Sequence, residues 1–261
     1  MDAVMQLSEQ PDIKELFEVL ESHGMKKEQH EVETLVDYIE SMETQFTKIL
    51  DELKEVRGQL DQISDKGLRA TAARFVEGAE QKVQSVIGQV THIKEKLIHS
   101  ARAAVETAKE RGADALRRAV SAMKIPTVLS LMRDFMRDGS QSMTKSAEKL
   151  TVINKELKIA GGHLRNAGRT LMGKTAKEQS GKVMDKGILI GIQKAFLSFG
   201  KVFSDMEQRA GRAMRQIERF RDGEERTQPQ KKSSVRAELR QIKSEKSARQ
   251  PRKPRAQEKV R

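Results

Sequence analysis

The sequence predicts an all-α protein of elongated long helices with coiled-coil segments, followed by a disordered basic C-terminal tail. Apolar residues make up 36% of the 261 residues and aromatic residues only 3%, against an ordinary apolar share of about 45–50%. A thick globular core is therefore not expected. From Asp12 to Ile125 the chain contains no proline, so no proline interrupts a helix anywhere in this stretch. Apolar residues also recur at intervals of three and four, the helical period.

The first 63 residues predict an acidic helical hairpin. Its first helix runs from Pro11 to about Ser22, with apolar residues on one face and Gly24 as the terminating residue. The second helix has an unbroken heptad pattern, which predicts either a left-handed coiled coil with a partner helix or packing in a bundle of the chain's own helices. The seam of this heptad helix consists of Val32, Leu35, Ile39, Met42, Phe46, Ile49, Leu53, Val56, Leu60 and Ile63.

Residues 64–125 predict a long basic helix. The heptads are interrupted at Ser64-Asp65-Lys66-Gly67 and resume at Val76. Either Asp65 caps a new helix there or the helix continues with a shift of register. Beyond Leu97 the stripe consists of alanines, which bury little area each. The helix should end at Ile125, because the residue before a proline avoids the helical region.

Residues 126–220 predict a helical region interrupted by glycines. A helix beginning at Thr127 is expected to break at Gly139-Ser140. A second stripe then follows, and a last firm helix spans 188–220, with residues 173–187 between them as a loop or a poorly formed helix. The second stripe consists of Ala147, Leu150, Ile153, Leu157, Ala160, Leu164, Ala167 and Leu171.

The distribution of charge separates an acidic head from a basic body and tail. Residues 1–63 carry 16 acidic and 6 basic side chains, and residues 221–261 carry 14 basic and 6 acidic ones, within a net charge of +12. Such a distribution indicates either ion pairing within the chain or an anionic partner for the basic part.

The tail, residues 221–261, predicts sequence-independent contact with nucleic acid. It should be disordered, and its lysines and arginines would neutralise phosphates. From Pro229 onward it has no Phe, Tyr or Trp, so stacking on bases is not expected. A tail that only keeps the protein in solution is the alternative. The candidate contact residues are Lys231, Lys232, Arg236, Arg240, Lys243, Lys246, Arg249, Arg252, Lys253 and Arg255.

The sequence favours a protein that is not an enzyme and that binds no cofactor or small-molecule substrate. It contains no cysteine, which excludes disulfides, thiolate nucleophiles and cysteine-based metal centres. The N-terminus has no basic region followed by an apolar run, and no uncharged apolar stretch reaches about 18 residues. We therefore expect a cytoplasmic protein. From its heptads, we expect it to associate with itself or with a partner helix.

One helix face carries side chains able to bind a metal. His92, Glu95 and His99 are spaced i, i+3 and i+7. A single helix rarely supplies three converging ligands without a fourth from elsewhere. No second cluster of acids and histidines accompanies them, so a solvated or partly buried face is the favoured interpretation and no metal ligand is predicted.

Two further functions compete with nucleic-acid binding. Residues 168–175, Gly-Arg-Thr-Leu-Met-Gly-Lys-Thr, formally match the phosphate-binding pattern G-x-x-x-x-G-K-T, which requires a buried strand before it and a helix after it. Residues 188–203 are strongly apolar and continue into a basic helix, which is typical of a membrane-surface helix and also of a bundle core. The alternatives are thus a membrane-surface protein and a nucleotide-binding protein.

Two N-terminal blocks carry a resemblance to known proteins. Ile13-Lys14-Glu15-Leu16-Phe17 and Leu35-Val36-Asp37-Tyr38-Ile39-Glu40-Ser41-Met42-Glu43 resemble a family of uncharacterised bacterial proteins that accompany conjugative or mobilisable elements in Gram-positive gut bacteria. The resemblance covers about the first 65 residues. It implies an accessory role in a mobile genetic element and no catalytic residues.

Overall fold

The computed structural model is helical over most of the residues that it describes, which are 6–176 and 187–227, with side chains as far as residue 220. No strand occurs in these two ranges, which confirms the predicted all-α class. The helices are α1 (Pro11–Ser22), α2 (Lys26–Gln59), α3 (Lys66–Arg111), α4 (Ala113–Ala122), α5 (Ile125–Leu171) and α6 (Ile188–Thr227), with short 3-10 turns at Leu7–Glu9 and Leu60–Gln62.

A tight turn joins α1 to α2, as the sequence predicts. Gly24 has a φ of +66°, a conformation that glycine adopts without steric cost. The backbone N–H of Gly24 donates to the carbonyl of Glu21 and that of Met25 to the carbonyl of Leu20, both at 2.9 Å. This pair of bonds is the Schellman arrangement that ends helices at glycine. It folds α1 back along α2.

Helices α2 and α3 pack antiparallel. Arg57 near the end of α2 pairs with Glu80 near the start of α3, at 2.7 Å. The side chain of Lys94, farther along α3, donates to Glu43, earlier in α2, at 2.9 Å. A new helix begins after residue 65 because the Asp65 carboxylate accepts a hydrogen bond from the backbone N–H of Leu68 at 2.8 Å, as a helix N-cap does.

Helix α6 runs antiparallel to both α5 and α2. The hydroxyl of Ser140 in α5 donates to the carbonyl of Gly200 in α6 at 3.0 Å. The hydroxyl of Tyr38 in α2 donates to the carbonyl of Met206 at 3.1 Å, and Tyr38 is almost completely buried. Helices α2, α3, α5 and α6 thus enclose one continuous apolar core.

The predicted break at Gly139-Ser140 is wrong, because α5 continues through both residues. Gly139 instead faces α6: a Cβ added there would lie 2.2 Å from ring carbons of Phe203. The glycine therefore makes room for an aromatic ring from another helix. That requirement is tertiary, and local helix propensity does not reveal it.

The predicted long helix over 64–125 is two helices. Gly112 separates α3 from α4 with a φ of +74°. A second reversal follows at Lys124, whose φ is +50°. The helix ends before Pro126 as expected, but α5 already begins at Ile125 rather than at Thr127.

The chain divides into two compact units, Met1–Glu218 and Arg219–Arg261. The first unit contains α1 to α5, most of α6 and the whole of the core described above. Of the second unit, the structure describes the end of α6, as far as Thr227. The rest of the predicted tail lies outside the described residues.

Candidate functional site

Four carboxylates of the acidic head pair with the basic helices inside the first unit. Carboxylates of α1 and α2 meet lysines and arginines of α3 and α4 at distances between 2.6 and 3.2 Å. Pairing within the chain is one of the two outcomes that the charge distribution predicts, and for the head it is the one observed. The pairs are Asp12–Arg102, Glu15–Lys109, Glu28–Arg117 and Glu43–Lys94.

The pairing also affects protonation. The bidentate hydrogen bond from the Arg102 guanidinium, at 3.0 and 2.9 Å, holds the pKa of the Asp12 carboxyl below its usual value. In the same way, the hydrogen bond to the Glu15 carboxylate raises the pKa of the Lys109 ammonium. Charge-assisted hydrogen bonds favour the charged form of both partners, so these head carboxylates are matched by cations of the same chain.

The seam of the heptad helix lies inside the first unit. All ten of its residues belong to the apolar core. At its centre the ring of Phe46 meets the ring of Phe203 edge-on, with centroids 4.9 Å apart. The partners of α2 across this seam are therefore helices of the same chain. The ten candidate nucleic-acid contacts, from Lys231 to Arg255, lie outside the described residues.

The second half of α5 leaves the core. The last buried residue of α5 is Leu150, and next to it the Gln193 amide of α6 donates a hydrogen bond to the Thr151 hydroxyl at 2.7 Å. None of residues 152–171 is buried as a whole residue, and none of their apolar side chains belongs to the core, although the Nδ2 atom of Asn154 is buried. Residues 152–171 of α5 are called the distal arm below.

The distal arm exposes leucines on one face. Leu150, Leu157, Leu164 and Leu171 recur every seven residues, and the exposed fractions of the last three rise from 39% to 78% and 89%. The seven-residue recurrence is visible in the sequence. Helices of the same chain cover the stripe of α2, whereas no helix among the described residues covers this stripe. That difference is visible only in the structure.

The opposite face of the distal arm is basic. Lys155, Lys158, Arg165 and Arg169 fall on it at helical spacing. In the part of the chain that the structure describes, none of the four forms an ion pair; Arg169 donates to the carbonyl of Thr175 at 3.0 Å. These cations are therefore accessible to an anion.

The string at 168–175 forms the end of a helix and not a phosphate-binding loop. Gly168 lies inside α5, and Gly173, with a φ of +69°, terminates it. The backbone N–H of Gly173 donates to Thr170 and that of Lys174 to Arg169, at 3.0 and 2.9 Å, which is again the Schellman arrangement. A helix C-terminus carries partial negative charge and disfavours phosphate, so the geometry contradicts the nucleotide-binding alternative.

The apolar segment 188–203 lies in the bundle core. Ile192, Phe196, Phe199 and Phe203 are fully buried against the other helices. A membrane-surface helix needs its apolar face free to enter the bilayer, so the first unit would have to open to provide one. The membrane-surface alternative is thus not supported. None of the described helices has the length and hydropathy needed to cross a membrane.

His92, Glu95 and His99 line a shallow surface groove of about 420 Å³ on α3. Within residues 6–176 and 187–227, no group of three or more histidines, aspartates and glutamates is arranged to hold a metal ion.

A second groove, of about 430 Å³, lies between α2 and α6 and is lined by Asp37, Tyr38 and Arg209 among others. Burial, followed by repulsion from Glu40, raises the pKa of Asp37.

Comparison with known proteins gives one match. Residues 9–261 match the model of a family whose description is a family of unknown function, DUF6674. No curated protein and no solved structure matches the chain significantly.

Proposed function

The chain belongs to the DUF6674 family, whose function is unknown, and we propose that it is a non-enzymatic helical interaction protein that contacts nucleic-acid phosphates through its basic C-terminal tail. The proposed contacts are the ten lysines and arginines from Lys231 to Arg255. Binding would be independent of base sequence and would weaken as salt rises, because each phosphate contact releases a condensed counterion.

The observation that supports this proposal is the internal pairing of the acidic head. In a chain of net charge +12, an unpaired acidic head would compete with phosphates for the basic tail. Four of the sixteen head carboxylates instead pair with cations of α3 and α4. These four pairs take carboxylates of the head out of competition with an external anion for the remaining positive charge.

The proposal is tested by fluorescence anisotropy of labelled duplex DNA and duplex RNA. The full chain is compared with a truncation ending at residue 228 and with a chain in which the ten tail cations are changed to glutamine. A chain with the five tail lysines of this set changed to arginine, which keeps the charge, serves as the matched control. We expect binding by the full chain and the control, with a loss of at least tenfold in the truncated and glutamine chains.

Two results would contradict the proposal. Equal binding by the full chain and the glutamine chain would assign the contact to the folded unit. Absence of binding by the full chain at low salt would leave the tail with a solubilising role only. A charge-reversed distal arm, with Lys155, Lys158, Arg165 and Arg169 changed to glutamate, measures how much that face adds to the tail.

An accessory role in a mobile genetic element is the biological setting that we propose. It is supported by the resemblance of the two N-terminal blocks, at 13–17 and 35–43, to proteins that accompany such elements. The neighbouring genes of family members test it: genes for conjugative transfer beside them would support this setting, and their consistent absence would contradict it.

A further inference from the structure

The distal arm presents its cations on one face, and we propose that this face lies in the major groove of duplex DNA. Lys155, Lys158, Arg165 and Arg169 are called the basic strip below. The inference rests on the proposed function, because four cations alone bind a duplex weakly and the tail is expected to hold the duplex near the arm. It deepens that function by naming the form of nucleic acid, which contact of the tail with phosphates does not decide.

The four cations lie close together around the helix axis. With about 3.6 residues per turn, successive residues are about 100° apart, and the basic strip falls within a sector of about 80°. From residue 155 to residue 169 the strip is roughly 21 Å long at about 1.5 Å per residue. The cations therefore form one continuous line along the arm, on the side opposite the leucines.

No carboxylate of the arm lies within the basic strip. The sequence has no Asp or Glu from Leu157 to Ala176, and Glu156 lies about 140° around the helix from the middle of the strip. Among the described residues, none of the four cations forms an ion pair. The hydrogen bond to the carbonyl of Thr175 engages the Nε atom of Arg169 and not its two terminal nitrogens. The strip thus offers its positive charge to an external anion.

The arm also has the dimensions that a major groove admits. An α-helix with its side chains is about 10–12 Å wide, and the major groove of B-form DNA is about 12 Å wide. None of residues 152–171 is buried as a whole residue, so the helix is not enclosed by the bundle here. Gly162 lies within the strip, between Lys158 and Arg165, and adds no side chain that would hold the helix away from the duplex.

The dimensions of the two duplexes favour DNA over RNA for this contact. The major groove of A-form RNA is deep and narrow, and protein side chains cannot read it. The tail contacts phosphates, which both duplexes carry, and should bind both. The arm should therefore add affinity for DNA and little for RNA.

Fluorescence anisotropy of the full chain, on DNA and RNA duplexes of one sequence, tests the contact. The arm variant has the four residues of the basic strip changed to glutamine. The matched control has four exposed cations of α3, which form no described ion pair, changed to glutamine: Lys66, Arg74, Lys96 and Arg111. On DNA we expect the arm variant to bind about tenfold more weakly than the control, with a salt slope shallower by about 2–4. On RNA the two variants should bind alike, because their net charges are equal.

A single thiol tests which face of the arm meets the duplex. The chain has no cysteine, so Lys158→Cys introduces one thiol in the basic strip and Ala160→Cys one thiol on the leucine face. Saturating duplex DNA should slow the alkylation of position 158 by an uncharged reagent several-fold. Position 160 points away from the groove and should react at nearly the rate of the free protein.

Three results would overturn the inference. Equal DNA binding by the arm variant and the control would show that only net charge matters. An equal deficit of the arm variant on DNA and on RNA would place the contact outside the major groove. Equal protection of positions 158 and 160 would contradict the assigned face.

Failure of the tail contact gives a different result. The chain with its ten tail cations changed to glutamine would then bind DNA as well as the wild type, and the arm variant would still bind more weakly than its control. A full chain that binds neither duplex at low salt would overturn both the tail contact and the arm contact.

Discussion

At the scale of single residues, Gly139 has a different role from glycines on exposed helix faces. Gly139→Ala should lower the free energy of unfolding by about 1–3 kcal/mol, as overpacking of a core does, because the new methyl group would overlap the Phe203 ring. The gain of about 1 kcal/mol in helix propensity offsets only a part of this cost, because the added carbon would lie 2.2 Å from the ring. Gly88→Ala is the matched control, since nothing lies within 4 Å of the added carbon, and it should stabilise. Urea denaturation of both variants checks the prediction, and an unchanged midpoint for Gly139→Ala would contradict it.

The pair between Asp12 and Arg102 predicts a dependence of stability on pH. Since the hydrogen bond from Arg102 lowers the pKa of Asp12 from 3.8, the pair stabilises the folded state above that value. This contribution is lost as pH falls through the lowered pKa. Arg102→Gln should therefore melt below the wild type at pH 7, and the two melting curves should converge in acid. Arg74→Gln, which removes an exposed cation without a described ion pair, is the control. A constant difference across the acid range would refute this assignment.

At the scale of helices, the Gly-Lys-Thr string is predicted to terminate α5 and to bind no nucleotide. Magnesium with ATP or GTP should leave the melting temperature unchanged in the wild type and in Lys174→Ala. Gly173→Ala should instead destabilise the last turn of α5 by about 1 kcal/mol, the cost of a left-handed conformation for a residue with a Cβ. Faster amide exchange at the end of the arm would show this effect. A nucleotide-dependent stabilisation that Lys174→Ala abolishes would restore the nucleotide-binding alternative.

Local chemistry predicts most helix ends, and non-local contacts explain the errors. The helix ends at Pro11, Gly24 and Asp65 depend on interactions with residues near them in the sequence. Their roles can therefore be predicted from the sequence. Gly139 resembles a helix breaker in the sequence because the reason for it, the Phe203 ring, comes from a helix about 60 residues later. The break at Gly112 escapes prediction because an alanine stripe continues on both sides of it.

The candidate site can be predicted only in part, for a related reason. The leucine repeat of α5 and the heptads of α2 look equivalent in the sequence, since both are apolar stripes of helical period. Which stripe lacks a covering helix depends on where the other helices begin and end. Helix α6 begins at Ile188, and its Gln193 meets α5 at Thr151; nothing in the leucine repeat itself encodes where α6 begins.

At the scale of the whole molecule, the charge is divided between a head and a tail. Four carboxylates of the head pair with cations of α3 and α4. The tail, residues 221–261, carries 14 basic and 6 acidic side chains. We therefore expect an external anion to bind the tail rather than the head.

The most direct test of tail-mediated phosphate contact is the slope of the logarithm of the binding constant for duplex DNA against the logarithm of salt concentration. Each neutralised phosphate contributes about −0.9 to this slope. For the full chain we predict a slope steeper than about −4, and for the truncation at residue 228 a slope close to zero with little residual binding. A shallow slope for the full chain, or an equally steep slope for both proteins, would contradict the proposal that the tail cations bind phosphates.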